Sequence, residues 1–230
     1  MSLQVPPRRI AQPPTVPTAA VAAALGWSLS SGPLAALALG GLGSAWIAML
    51  AYHVGCVATA LRLGARLGPR PRSGRLLLCA AGSAVLAALL GGVAAVTLPE
   101  GWFPMRHWRA WGLETPGDRW LLTYYVVVNP WVEEWFWRAA LLGAHARRQL
   151  GTTTSVAFSI GAFTTFHLCV LWIAFGAAAG TGAASSVLGA GVLWTILRLR
   201  SGHTWWSAVS HQGADLGLAI LYFAFLNSRP

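Results

Sequence analysis

The sequence predicts an all-α fold: a polytopic transmembrane helix bundle of about seven spans, with about six to eight as bounds. Of its 230 residues, 56% are hydrophobic and only 10% charged, where a soluble domain would carry about 25% charged residues. Its 26 glycines and 13 tryptophans fit membrane helices and their interfaces, in which these residues are frequent. The 16 basic residues are all arginine, and most fall in short clusters between apolar runs: Arg8/Arg9, Arg62 to Arg75, Arg147/Arg148 and Arg198/Arg200. Clusters of this kind mark cytoplasmic loops by the positive-inside rule.

Topogenesis therefore explains the net charge of +10. A nucleic-acid binder would collect its arginines in one stripe, so no nucleic acid is expected among the partners. The lipid bilayer is. Abundant Ala, Gly and Arg without any Lys fits a GC-rich bacterial gene, hence a multi-pass cell (inner) membrane protein with a cytoplasmic N-terminus. Cys56, Cys79 and Cys169 lie in apolar stretches with no C-x-x-C spacing, which fits reduced thiols rather than a disulfide framework.

Along the chain, residues 1–18 hold Pro6, Pro7, Pro13, Pro14 and Pro17 and read as a flexible tail. Residues 19–118 read as N-terminal transmembrane helices plus a connecting loop. Within them, 19–61 is either a hairpin turning at Gly40-Gly41-Leu42-Gly43 or a short segment and a long helix broken at Pro33. The hairpin is preferred, because it gives two stretches of about 20 residues and puts both flanking arginine clusters on one side. Leu76 to Leu98 is the next span, with Gly82, Gly91 and Gly92 suited to close helix packing. Glu100 to Asp118, with Trp102, Trp108 and Trp111, reads as an interfacial connection. Residues 119–227 supply four more candidates, 120–146, 152–175, 181–197 and 204–226.

Three of the chain's six acids, Glu133, Glu134 and Asp215, fall inside these apolar stretches. A carboxylate at membrane depth costs about 2.5–3.5 kcal/mol on insertion scales, so it calls for a partner or a task. Glu134 and Arg138 are four residues apart and can pair on one helix face. Glu133 is turned about 100° away on an ideal helix and lacks that partner. A poorly solvated, unpaired carboxylate is suited to take a proton as general base. In the next candidate, Phe163 and His167 share a face, so the ring can shield or pack beside the imidazole. In the last, His211 and Asp215 do the same, and Gly213 between them admits a backbone or a substrate closely. Taken singly, each has a structural reading: an ion pair at a helix interface, or a histidine donating between helices. His53 is read in that way.

In order, E-E-x-x-x-R, F-x-x-x-H and H-x-x-x-D, each in its own apolar segment, resemble the CPBP family of intramembrane proteases. That family includes the CAAX prenyl endopeptidases and the bacterial Abi and bacteriocin-processing proteins. The resemblance covers about Leu121 to Phe225 and marks 119–227 as the catalytic core. It implies a glutamate-dependent, metal-independent peptidase without cofactor. Glu133 and His167 match the residues that activate a water, and Glu134 and Arg138 match the supporting pair. His211 and position 215 match the pair assigned to oxyanion stabilisation. Here 215 is Asp, where many members have Asn. An ionised Asp cannot donate, so orientation of His211 is the expected role. The implied partner is a membrane-embedded or lipidated protein or peptide, cut near its C-terminus or leader. Prenylated tails, bacteriocin leaders and hydrophobic sorting tails are the candidates.

The rival chemistry is a zinc enzyme, with Zn²⁺ on Glu133, His167 and His211. Against it, H-E-x-x-H is absent and Arg138 would place positive charge beside the cation. A non-catalytic scaffold or bacteriocin-immunity protein, and a proton-coupled transporter, are the rivals from other classes.

Overall fold

The structure is a computed structural model that describes residues 17–71, 73–97, 116–143 and 152–227. Among the described residues every regular element is helical. Among the described residues, four helices are long and apolar enough to cross a membrane: Thr18–Leu42, Ala45–Arg62, Gly74–Val93 and the run Thr152–Ser201. The proline-rich stretch 1–16, the tryptophan-rich stretch 98–115 and Arg147/Arg148 lie outside the described residues.

Helices α1 (Thr18–Leu42) and α2 (Ala45–Arg62) form a hairpin. Pro33 sits inside α1 without ending it; the turn comes at Gly43, whose φ of 59° is the left-handed C-cap favoured by glycine. Ser44 Oγ then accepts from the Ile47 N–H at 3.3 Å, capping α2. Small residues on α1, Ser28, Ser31, Gly32 and Ala35, are buried. Lipid offers helices no hydrophobic drive to associate, and small faces of this kind let their backbones approach.

Helix α3 is Ser73–Thr97. The stretch expected as one span at 120–146 is two helices, α4 (Pro116–Val127) and α5 (Asn129–Glu134), running into a π-wound turn at Trp135–Leu141. Pro130 is the reason for the break. It has no N–H and its ring excludes the carbonyl one turn back, so the chain restarts at Val128, where Trp131 N bonds the Val128 carbonyl at 3.1 Å.

A straight helix over Thr152–Ser201 would measure roughly 75 Å, more than twice a hydrocarbon core of about 30 Å. The run is instead bent at Gly176, with φ 77° and ψ 169°, into α6 (152–175) and α7 (177–201). Trp172 Nε1 donates to Thr181 Oγ1 at 3.0 Å, and the rings of Phe163 and Trp194 lie 6.0 Å apart. In one straight helix that last pair would be about 46 Å apart. Helix α8 is Trp205–Asn227. Tyr52 and Cys56 of α2, Phe136 and Trp137 of the π turn, Phe163 and Phe166 of α6 and Trp194 of α7 form the main core, and the ionisable groups stand against it.

Candidate active site

Helix α5 is buried at Asn129, Pro130, Glu133 and Glu134. Both glutamates are therefore enclosed although they leave different faces of the helix. Arg138 NH1 pairs with Glu134 Oε1 at 3.0 Å, both side chains fully buried. The guanidinium is packed over the Phe163 ring at 4.2 Å from its centroid, and NH2 donates to the Gly191 carbonyl at 3.4 Å. Planar, ring-stacked placement of this kind is what a guanidinium tolerates and an ammonium does not.

Glu133 takes no part in that pair. Its Oε2 is buried without a hydrogen-bond partner. That oxygen lies 3.9 Å from His167 Nε2 and 3.7 Å from His211 Nε2. The Tyr52 hydroxyl accepts from Trp137 Nε1 at 2.9 Å and also bonds the Glu133 side chain. His211 is surrounded: Nδ1 is 3.2 Å from Glu134 Oε1 and Nε2 is 3.6 Å from Asp215 Oδ1. Its ring is stacked on Trp194, whose Nε1 donates to Ser210 Oγ. Three carboxylates thus face one guanidinium in a buried volume, and the charge balances only with protons held among them.

His167 Nδ1 lies 2.9 Å from the Phe163 carbonyl. A carbonyl only accepts, so Nδ1 carries the hydrogen, and the neutral ring presents a bare Nε2 toward Glu133. His167 is also the more exposed of the two. Its side chain is 22% exposed, against 2% for Glu133.

All the expected residues, Glu133, Glu134, Arg138, Phe163, His167, His211 and Asp215, meet in one cluster. Of the two expectations for Gly213 the backbone one holds: a Cβ there would fall on the Ala80 carbonyl of α3. Trp135, next to the acids in sequence, is engaged elsewhere: its Nε1 donates to the Ala65 carbonyl at 3.2 Å. It borders a separate cavity of about 610 Å³ lined by the loop at Ala65 to Pro69.

Sequence reading missed Tyr52, Tyr125, Asn129 and Trp194. Asn129 had a signal, being a polar amide one turn before Glu133 in an apolar stretch. Tyr52, Tyr125 and Trp194 had none, since an aromatic residue in a membrane helix is ordinarily packing. Among the described residues, no three His, Cys, Asp or Glu side chains form a group suited to hold a metal ion.

Residues 115–217 match the family of Type II CAAX prenyl endopeptidase Rce1-like proteins. No curated protein and no solved structure matches significantly. The matched segment runs past both ends of the cluster from Glu133 to Asp215. That segment of the chain is thus similar to the CAAX prenyl endopeptidases.

Proposed function

We propose that the chain is a glutamic-type intramembrane endopeptidase in which Glu133 and His167 activate a water. The observation that carries this is the Glu133 Oε2 atom, buried, without a hydrogen-bond partner, and held between two imidazoles at 3.7 and 3.9 Å. A water beside Glu133 and the bare Nε2 of His167 has a proton acceptor on each side. Its oxygen attacks the peptide carbonyl while the proton passes to Glu133. Collapse of the tetrahedral intermediate breaks the C–N bond, and that proton goes to the departing amine.

The other residues hold this arrangement. Arg138 neutralises Glu134, and Glu134 fixes His211 through Nδ1. His211 then presents its Nε2 hydrogen to the developing oxyanion, with Asp215 orienting the ring. Phe163 carries both His167, by its carbonyl, and Arg138, on its ring face. No metal or other cofactor is required for any of these steps.

The substrate is a membrane-embedded or lipidated segment that enters past His167 and is cut near its C-terminus or leader. In the proposed topology the seven helical stretches (α1, α2, α3, α4 with α5, α6, α7 and α8) each cross the bilayer. The N-terminus and the Arg62–Arg75 and Arg198/Arg200 clusters face the cytoplasm. The cell membrane is bacterial, and hydrophobic sorting tails or leaders fit better than prenylated tails, since bacteria generally make no prenylated CAAX proteins.

The test is mass spectrometry of membrane-protein C-termini in cells carrying wild type or Glu133→Gln. Termini that are shortened with wild type and intact with the variant support the peptidase. If Glu133→Gln and His167→Ala both leave every terminus and the cellular phenotype unchanged, the non-catalytic reading replaces it.

A further inference from the structure

Asp215 holds one side of His211, and a second set of polar groups, unused in the chemistry above, holds Asp215. Asn129 Nδ2 donates to Asp215 Oδ2 at 3.1 Å. Asn129 Oδ1 is 2.9 Å from His53 Nε2, and His53 Nδ1 is 2.7 Å from the Tyr124 hydroxyl. Asn129 and His53 are both buried, and the members come from α2, α4, α5 and α8. The Tyr125 hydroxyl bonds Asp215 as well.

The direction of each bond follows from the groups themselves. An amide oxygen only accepts, so His53 Nε2 bears the hydrogen. The neutral ring then has its lone pair on Nδ1, to which the Tyr124 hydroxyl donates. Flipping the Asn129 amide would move the His53 hydrogen to Nδ1 and set the amide oxygen against an Asp215 carboxylate oxygen, two acceptors facing each other. Donation therefore runs one way, from Tyr124 through His53 and Asn129 to the Asp215 carboxylate.

We infer that Asn129 and His53 are positioning residues that fix the Asp215 carboxylate, so that its Oδ1, 3.6 Å from His211 Nε2, orients that imidazole electrostatically while the Nε2 hydrogen is left for the oxyanion. The kinetic consequence rests on the peptidase reading; the direction of the chain does not. Asn129 is thereby set apart from an ordinary buried amide. Its amide and the carboxylate at 215 form a pair that can exchange places without losing a bond. In the exchanged pair Asn129→Asp/Asp215→Asn, the carboxylate at position 129 accepts from His53. The amide at position 215 donates to that carboxylate, and its oxygen still faces His211.

Two measurements test this. Nitrogen-15 NMR of histidine-labelled protein reads the His53 tautomer, with hydrogen expected on Nε2 and a bare Nδ1. Hydrogen on Nδ1 reverses the chain and overturns the inference, whether or not the protein cleaves anything. Kinetically, Asn129→Leu and Asn129→Asp each lower kcat about 100-fold, the scale of misplacing a reacting group by an ångström. KM stays within about twofold in both. The exchanged pair recovers about tenfold or more of the loss, which a merely structural role would not give. Unchanged kcat in Asn129→Leu, or no recovery in a folded exchanged pair, overturns it too. A wild-type protein that cleaves nothing fails the peptidase reading and leaves the tautomer to decide this one.

Discussion

The His211 imidazole lies flat on the Trp194 indole, ring centroids 3.8 Å apart and planes 16° from parallel. The indole is itself anchored, Nε1 donating to Ser210 Oγ at 3.2 Å, and Ser210 reaches Ser83 Oγ on α3 at 2.9 Å. The ring that faces the reacting centre is thus fixed from beneath by a residue on a different helix. An aromatic pair of this kind is worth about 0.5–1.5 kcal/mol. Trp194→Leu should therefore lower the cleavage rate about tenfold. Trp194→Phe keeps a ring under His211, gives up only the Ser210 bond, and should lose less. Rates at equal folded fraction check the order; a Leu variant as fast as wild type would remove the stack from the mechanism.

Breaking the buried Glu134–Arg138 pair from one side leaves a charge in the core. Arg138→Met should cost about 3–5 kcal/mol, whereas replacing both members by apolar residues of similar volume should be far milder. Thermal unfolding in detergent is expected to place Glu134→Leu/Arg138→Met well above Arg138→Met, with both variants inactive. Equal melting of the two would mean that the pair is solvated.

Glycine-to-alanine changes should have opposite signs at two positions. At Gly213 a Cβ meets the Ala80 carbonyl and the Ser83 side chain, whereas at Gly189 nothing lies within 4 Å. Gly213→Ala should destabilise by about 1–3 kcal/mol through overpacking. Gly189→Ala, on the open side of α7, should stabilise by about 0.8–1 kcal/mol from helix propensity alone. Unfolding midpoints of both variants decide it.

Exhaustive chelation should leave cleavage intact, because each proposed step uses only Glu133, His167, His211 and their supports. Loss of activity that Zn²⁺ restores would instead make Glu133, His167 and His211 ligands of a metal.

The ionisable residues of the site were legible in the sequence because lipid makes them conspicuous. A carboxylate or an arginine among Trp, Val and Ala has few structural excuses, and spacings of four residues put each pair on one helix face. The hairpin at Gly43 was legible from length and arginine placement. The break at Val128 was signalled by Pro130, yet a single span was expected, because hydropathy averages over a kink. The π-wound turn left no signal, since it depends on how Trp135 to Leu141 pack and not on their types. Neither did the support beneath the site. Trp194 looks like any interface tryptophan until the fold at Gly176 brings α7 back beside α6. His53 reads as a simple interhelical donor, and its bonds to Tyr124 and Asn129 bear that out without revealing where the chain of bonds ends.

The site draws on α5 for its acids and on α8, the last described helix, for His211 and Asp215. On the ribosome, Glu134 precedes His211 by 77 residues, a delay of roughly 4–15 s at about 5–20 residues per second. On the proposed mechanism, the nascent chain lacks throughout that interval the imidazole assigned to the oxyanion, and competence to cut comes only with the synthesis of α8.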